Sequence, residues 1–245
     1  MLSTKPYKGS RDFYPEEMRS REWIFSKLSK TAELFGYEKV DAPLIEPVDL
    51  YLAKTSEEIV NQQIYSFEDR GGRQVAIRPE MTPTVSRMIA ARYRELVKPI
   101  RWYSIPNLWR YERPGKGRLR EHWQLNCDLF AAADEFLADL EILSLAMEIP
   151  LAFDAPLGSF RLYINHRKIL NAFLEKFLQI PKEKHAPVAR LMDKKEKLPK
   201  ETWLAALQEE GLLQEQAEKI AQYMESGISF LKEHKDNLDK EATFG

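Results

Sequence analysis

The run of residues from Trp109 to Leu129 has side chains that suit a charged ligand, and it reads WRYERPGKGRLREHWQLNCDL. Guanidinium groups hold phosphate or carboxylate oxygens in pairs, while carboxylates and amides form hydrogen bonds with bases and amines. We expect two strand-like segments that form a hairpin around a nucleotide. Their connecting loop carries four basic residues: Arg113, Lys116, Arg118 and Arg120.

Alternation in these two segments separates the side chains onto two faces, because successive residues of a strand point to opposite sides. On the outgoing segment Arg110 and Glu112 share one face, and Trp109 and Tyr111 share the other. The return segment has a polar face made of His122, Gln124, Asn126 and Asp128, and an apolar face made of Trp123, Leu125, Cys127 and Leu129. The alternation alone fits both a ligand site and a solvated sheet face.

The residues before the hairpin predict a helix and a short strand that pack against it. Pro15 opens the helix, since proline is tolerated in the first turn and the two glutamates that follow favour the helix dipole. Apolar residues recur at spacings of three and four, and Gly36 is placed to end the helix. Residues 37–43 then form a short strand closed by proline.

A second pair of strands, around a Gly71-Gly72 turn, delivers Arg78, Pro79 and Glu80 at a strand end. A helix follows, for which Thr82 is the expected N-terminal cap. A carboxylate and a hydroxyl at a strand-to-helix junction can bind an amino group, or they can simply cap the helix.

The rest of the chain predicts a few more core elements and then a helical unit. We expect a strand at 100–105, a helix at 134–149, a strand at 160–165 and a helix at 167–178. From about Pro181 the sequence is charged and helical in pattern, without strand candidates. Four lysines there could touch a phosphate backbone, although a solvated turn is the simpler interpretation: Lys194, Lys195, Lys197 and Lys200.

Composition limits the protein class. With 245 residues and 44% hydrophobic side chains, the chain can bury one substantial core and a smaller one. The net charge of -1 gives no global basic field, so any contact with RNA must come from a local patch. Cys127 is the single cysteine, which excludes an intrachain disulfide and a multi-cysteine zinc site. Without a membrane-length apolar run or a signal peptide, we expect a cytoplasmic protein with no membrane partner.

Four segments of the chain resemble, in order, those of the histidyl-tRNA synthetases, which are class II aminoacyl-tRNA synthetases. KGSRDFYPEE resembles the opening segment of the family. The helix ending GYEKVDAPLIEP resembles motif 1, which forms the dimer interface in such enzymes. IRPEMTP resembles the amino-acid-binding strand, and WRYERPGKGRLREHWQLNCDLF resembles motif 2 in its histidyl form. The helical tail is similar, more weakly, to the insertion domain used near the tRNA acceptor arm.

The resemblance implies an α+β fold, with an antiparallel sheet flanked by helices and an appended small helical domain. Residues 1–178 would be a partial catalytic core that holds motifs 1 and 2, and residues 179–245 an insertion-type domain. The implied activity is that of a histidine-tRNA ligase, which joins histidine and ATP into histidyl-adenylate and transfers the histidyl group to tRNA(His). The implied partners are histidine, ATP with Mg2+, tRNA(His) and a second copy of the chain through motif 1.

The resemblance also implies roles for the ATP-binding residues. Arg110 would hold the α-phosphate and the substrate carboxylate, and it is the expected catalytic residue, because formation of the adenylate needs charge neutralisation and positioning. Glu112 would accept a hydrogen bond from the adenine amino group. Arg118 and Arg120 would neutralise the outer phosphates, and His122 would stack on adenine. No residue is assigned as a metal ligand.

For the amino acid, the resemblance implies a polar pocket to which Arg110 also contributes. Glu80, Thr82 and Gln124 would bind the α-ammonium group, which needs oxygen acceptors. Asp128 would accept a hydrogen bond from a ring N–H of the substrate imidazole, so an analogue without that donor would be rejected.

In this family a histidine-specific segment with an arginine and a tyrosine pair, then motif 3, then an anticodon-binding domain follow the insertion domain. The 245 residues stop about where that first segment would begin. We therefore expect these residues alone to show weak or no aminoacylation and to expose sheet surface.

Three other functions remain open at this point. One is the regulatory subunit of ATP phosphoribosyltransferase in histidine biosynthesis, a catalytically inert relative of the synthetase. The presence of Arg110, Glu112 and the arginine-rich loop argues against this alternative, because an inert relative has no reason to keep residues that bind ATP phosphates. The second is a module that retains the fold for protein or RNA contacts. The third is a class II synthetase for another amino acid, although ERPGKGRLRE is closest to the histidyl form.

Overall fold

The structure, a computed structural model, describes residues 3–52, 63–164 and 166–234. Its contacts divide the chain into two compact units, Met1–Arg161 and Leu162–Gly245. This division falls earlier than the predicted boundary at 178/179, because Phe173 and Leu174 are buried in the core of the second unit. The assignment of the two units as a catalytic core and an insertion-type domain stays a prediction.

The first unit mixes helices with short strands. In chain order its described elements are α1 (Pro15–Leu34), β1 (Glu38–Lys39), β2 (Ile45–Pro47), α2 (Asp49–Leu52), β3 (Tyr65–Glu68), β4 (Gln74–Ile77), α3 (Thr82–Arg92), β5 (Ile100–Ser104), β6 (Asn107–Trp109), β7 (Glu121–Trp123), β8 (Asn126–Phe130) and α4 (Glu135–Ala152). The predicted first helix is confirmed, and Gly36 follows its end with a positive φ of 78° that favours glycine.

Three small sheets carry the polar residues of interest. One has the order β1-β5-β8, the second the order β2-β4-β3, and the third is the β6–β7 hairpin. Among the described strands all pairs are antiparallel except β1 with β5. The predicted α+β fold is confirmed, as is the pair of strands around Gly71 and Gly72.

The core of the first unit explains the apolar face of the return segment. Ala32, Tyr37 and Tyr103 are buried together with Leu145 of α4. Leu125, Cys127 and Leu129 pack against this cluster. A second cluster lies under α3, where Met81, Val85, Ile89 and Ile100 are buried. The apolar face of the return segment therefore packs against the core, as the sequence predicts.

The second unit is helical in the residues that the structure describes. Its elements are α5 (Arg167–Ala172), a π-helical turn (Phe173–Phe177), α6 (Lys182–Met192), a 3-10 turn (Lys195–Lys197), α7 (Lys200–Glu209), α8 (Gln214–Ser226) and α9 (Ile228–Glu233). They enclose a core of their own, which includes Trp203, Leu207, Ile220 and Phe230. The helical character predicted from Pro181 onward is confirmed.

Two local predictions are wrong. Residues 160–164 form no strand, because none of the described strands pairs with them, and Asn165 lies outside the described residues. Thr82 is not a cap: α3 has Met81 at its N-cap position, and the Thr82 side chain is bonded elsewhere. Among the described residues, no helix is both long and apolar enough to cross a membrane.

Candidate active site

The hairpin β6–β7 aligns the first group of predicted site residues. Leu108 pairs with His122 and Trp109 with Glu121, and the N–H of Arg110 donates to the carbonyl of Arg120 at 2.8 Å. His122 and Trp123 therefore face opposite sides of the hairpin, as predicted.

The return segment is two strands rather than the single strand that the alternation predicts. β7 ends at Trp123 and pairs with β6, whereas β8 begins at Asn126 and pairs with β5. In the β5–β8 pair, Trp102 lies opposite Asp128. His122 and Asp128 consequently lie on different sheets.

The link between β4 and α3 connects these two sheets. Arg110 Nε donates to the carbonyl oxygen of Pro79 at 3.0 Å, which fixes the guanidinium beside the segment that carries Glu80. Thr82 Oγ1 donates to Asp128 Oδ1 at 3.2 Å. Arg110 and Asp128 therefore contact Pro79 and Thr82, which lie three residues apart at the junction between β4 and α3.

Arg78 holds this link in place, a role that the sequence did not reveal. Arg78 is buried, with 6% of the residue exposed. Arg78 Nε donates to the carbonyl of Asn107 at 3.0 Å, and Nη1 donates to the carbonyl of Ala42 at 2.8 Å and to Asp41 Oδ1 at 3.3 Å. An arginine directly after an apolar strand was the available signal, since arginines are seldom buried unless they are paired.

Asp128 has both carboxylate oxygens engaged. Besides the bond from Thr82, Asn126 Nδ2 donates to Asp128 Oδ2 at 2.5 Å. Burial raises the pKa of the Asp128 carboxyl, while these two hydrogen bonds act in the opposite direction. Asn126 was placed on the polar face by the sequence, and the structure adds that it orients the carboxylate.

Glu112 and Arg118 form an ion pair at the start of the loop. Arg118 Nε lies 2.5 Å from Glu112 Oε2. The Glu112 side chain is only 12% exposed, whereas that of Arg118 is 71% exposed. The carboxylate is therefore fixed at the base of the loop, and the arginine reaches it from the solvent side.

His122 lies among charged groups of the same hairpin. Its side chain is half-buried, and burial lowers the pKa of the ring, with the positive charge of Arg110 adding to this and the negative charge of Glu112 opposing it. Burial and the nearby Arg110 thus both favour the neutral form of the imidazole.

Arg120 differs from the other loop arginine because it is 8% exposed. Its Nε donates to the carbonyl of Glu112 at 3.0 Å, and its Nη1 donates to the hydroxyl of Tyr7 at 2.9 Å. The guanidinium also lies over the ring of Tyr111, 4.0 Å from the centroid. Its side chain is thus committed to contacts within the protein.

Three further residues that the sequence singles out differ in burial. Gln124 is exposed between β7 and β8, and its N–H donates to the carbonyl of Pro106 at 3.4 Å. Glu80 is half-buried on the β4–α3 link. Cys127, which the sequence places on the apolar face, packs against the core, and burial raises its pKa to about 12.

Comparison with known proteins adds family information. The family model described as histidyl-tRNA synthetase matches residues 9–243. A histidine–tRNA ligase of Leptospira biflexa is 54% identical over 204 residues, which are 83% of this chain and 46% of that protein. One from Haloarcula marismortui is 41% identical over 221 residues, which are 89% of this chain and 49% of that protein. The chain therefore spans about half the length of these curated relatives.

Solved structures agree on the fold. The crystal structure of histidyl-tRNA synthetase from Nostoc sp. PCC 7120 superposes with a TM-score of 0.77 at 22% identity, over 91% of this chain and 49% of that one. A Bacillus halodurans protein described as an ATP phosphoribosyltransferase regulatory subunit/histidyl-tRNA synthetase gives 0.78 at 20% identity, over 99% and 61%. At such identities the likeness concerns the fold alone. The sequence match over nearly the whole chain decides the family: the chain belongs to the histidyl-tRNA synthetases.

Proposed function

We propose that this chain forms the histidine- and ATP-binding part of a histidine–tRNA ligase. In the whole enzyme, the carboxylate oxygen of histidine attacks the α-phosphorus of ATP, the bond to the β-phosphate oxygen breaks, and pyrophosphate leaves. The histidyl group then moves from the adenylate to the 3′ end of tRNA(His). The observation that carries the proposal is the β4–α3 link, which is bonded to Arg110 on one side and to Asp128 on the other.

The pocket for histidine lies around Asp128. Asn126 and Thr82 hold its two oxygens, so the carboxylate is oriented before a substrate arrives. A ring N–H of the substrate imidazole can then donate to it. Because the Thr82 hydroxyl donates its proton to Asp128, its lone pairs are available to the α-ammonium group, together with Glu80 and Gln124.

The ATP site is assigned to the hairpin. Arg110 uses Nε–H on Pro79, so its two terminal nitrogens form a fork for the α-phosphate and the substrate carboxylate. Glu112 would accept a hydrogen bond from the adenine amino group, and His122 would stack on the base. Arg118, exposed in the loop, would reach the outer phosphates.

We assign Arg120 a supporting role instead of the phosphate contact expected from the sequence, since its guanidinium is buried against Tyr7 and Tyr111. Mg2+ would be carried by the phosphates of ATP, because the described residues contain no cluster of three His, Cys, Asp or Glu side chains that could hold a metal ion. When bound, Mg2+ supplies charge neutralisation to the phosphates.

The remaining partners are also proposals. We infer a homodimer through the motif 1 region, action in the cytoplasm, and tRNA(His) as the acceptor. The lysines of the second unit give tRNA binding limited support, because Lys195 and Lys200 both pair with Glu225, at 3.4 Å and 3.6 Å. The regulatory-subunit alternative is not favoured, since the curated relatives at 41–54% identity are histidine–tRNA ligases.

Calorimetric titration of the chain with histidine and with 2-thienylalanine, whose ring lacks an N–H donor, tests this proposal. We expect histidine to bind at least about a hundredfold more tightly, because the analogue leaves the Asp128 carboxylate unpaired. Asp128→Ala should abolish the preference, whereas Asp69→Ala, in the turn between β3 and β4, should leave it unchanged. Equal affinity for the two amino acids, or no histidine binding by the folded chain, would contradict the proposal.

A further inference from the structure

The N-terminal segment lies along the hairpin to which we assign ATP. The carbonyl of Gly9 accepts hydrogen bonds from the N–H groups of Arg120 at 2.7 Å and Glu121 at 3.3 Å. A few residues later, Phe13 meets Trp123 edge to face, with the ring centroids 5.2 Å apart. The segment from Tyr7 to Phe13 therefore contacts the return strand of the hairpin from Arg120 to Trp123.

Arg120 connects this segment to the loop of the hairpin. Its Nη1 bond to Tyr7 holds the N-terminal segment, and its Nε bond to the Glu112 carbonyl holds the outgoing side of the loop. Tyr7 is in turn 3.4 Å from Tyr65 through their hydroxyl oxygens. The Arg120 guanidinium thus joins the N-terminal segment to the outgoing side of the loop, and Tyr7 extends this connection to Tyr65.

The approach of the segment to Arg120 is too close for any residue but glycine at position 9. A Cβ there would lie 2.7 Å from Arg120 Cγ and 2.9 Å from Cδ. Gly9 also has a φ of 88°, which L side chains rarely adopt. Glycine is needed for both reasons, so the contact is a specific feature of this segment.

Hydrogen bonds fix the backbone on both sides of Glu112. The N–H of Glu112 donates to the carbonyl of Arg110 at 2.8 Å, while its own carbonyl accepts from Arg120. A residue held at both peptide groups has its side-chain direction set by the backbone. Any displacement of Arg120 would therefore move the carboxylate assigned to adenine.

We propose that Tyr7–Gly9 forms a clamp that acts through Arg120, a positioning residue, to set Glu112 and the loop for nucleotide binding. This inference rests on the proposed function for the identity of its ligand. The N-terminal segment would therefore support the ATP site although it does not contact ATP itself. We also expect a loss of nucleotide affinity that spares histidine, whose pocket lies around Asp128 on β8.

The test compares the original chain with Tyr7→Phe, Arg120→Met and the matched control Tyr14→Phe, which alters a hydroxyl on a residue that is 67% exposed. Calorimetry with ATP·Mg and separately with histidine gives the affinities. We expect ATP affinity to fall about tenfold in Tyr7→Phe and more in Arg120→Met. Histidine affinity should remain within about twofold in both variants, and Tyr14→Phe should match the original chain.

Amide hydrogen exchange of residues 110–120, measured without ligand, separates this inference from the proposed function. Both clamp variants should speed exchange there while the rest of the first unit is unchanged. Unchanged exchange, unchanged ATP affinity, or equal losses of ATP and histidine binding would each overturn the clamp. If the original chain binds no ATP, the ATP assignment fails, and the exchange result alone decides whether Tyr7–Gly9 positions the loop.

Discussion

At the scale of single residues, the burial of the Asp128 carboxyl affects the stability of the folded chain. Burial raises the pKa of its carboxyl above the ordinary value of about 3.9. The folded chain therefore binds this proton more tightly than the unfolded chain does. Stability is consequently lost as the pH rises from the ordinary pKa to the raised one.

Asp128→Asn should remove this titration. We expect the free energy of unfolding of the variant, minus that of the original chain, to increase with pH across this window and then to level off. Urea unfolding at a series of pH values from about 3 to 7 measures the difference. A difference that decreases as the pH rises would contradict the burial of Asp128.

Asp69 offers a control of opposite sign. Hydrogen bonds from the Arg73 backbone and side chain lower the pKa of its carboxyl. The stability that Asp69 contributes is therefore present above the ordinary pKa and is lost as the pH falls through the lowered one. For Asp69→Asn the same difference should become more negative with increasing pH.

At the scale of elements, the hairpin and its loop can be tested through the Glu112–Arg118 ion pair. This pair occupies the carboxylate that we assign to adenine, so a nucleotide must separate the two side chains. In Arg118→Ala, ATP should bind about tenfold more weakly because a phosphate contact is lost, whereas adenosine should bind more tightly because Glu112 is released.

Calorimetry with ATP·Mg and with adenosine on the same protein checks this reversal. Arg113→Ala is a suitable control, since Arg113 is exposed in the same loop, whereas Arg118 makes the ion pair with Glu112. Parallel losses of both ligands in Arg118→Ala would mean that Arg118 supports the loop as a whole.

The elements also show which features can be predicted from sequence. The alternation of Leu125, Cys127 and Leu129 predicted the buried face of β8 because the period of a strand is local. The break after Trp123 could not be predicted, since it depends on pairing with β5, which is remote in sequence. The prediction that Thr82 caps α3 was wrong for the same reason, because its hydrogen-bond partner Asp128 lies 46 residues away in the sequence.

At the scale of the whole chain, the two units have separate cores. The sequence pattern predicted a helical tail from Pro181. It could not show that Phe173 and Leu174 belong to the core of this tail, because an apolar residue can be buried in either unit. Motif order predicted the family correctly, because long polar patterns such as ERPGKGRLRE are more specific than hydrophobic periodicity.

The motif 1 region leaves apolar surface on the first unit. Leu34, at the end of α1, is 86% exposed, and Trp23 and Leu44 are 55% and 43% exposed. If these residues meet a second copy of the chain, Leu34→Glu should weaken the dimer at least about tenfold, because a buried leucine contributes about 1.5–3 kcal/mol. Sedimentation equilibrium measures the dissociation constant.

Leu157→Glu is the control for this substitution. Leu157 is 89% exposed and belongs to the same unit, but it lies outside the motif 1 region. Its variant should dimerise like the original chain. An unchanged dimer in Leu34→Glu, or a monomeric original chain, would contradict the assignment of this interface.

The most direct test of the central claim is calorimetric titration with a non-hydrolysable histidyl-adenylate analogue, because this ligand spans both halves of the site. We predict that it binds more tightly than other aminoacyl-adenylate analogues and that Arg110→Ala and Asp128→Ala each abolish this binding. Failure of the folded chain to bind the analogue, or equal binding of analogues with other amino acids, would contradict a histidyl-adenylate site built on Arg110 and Asp128.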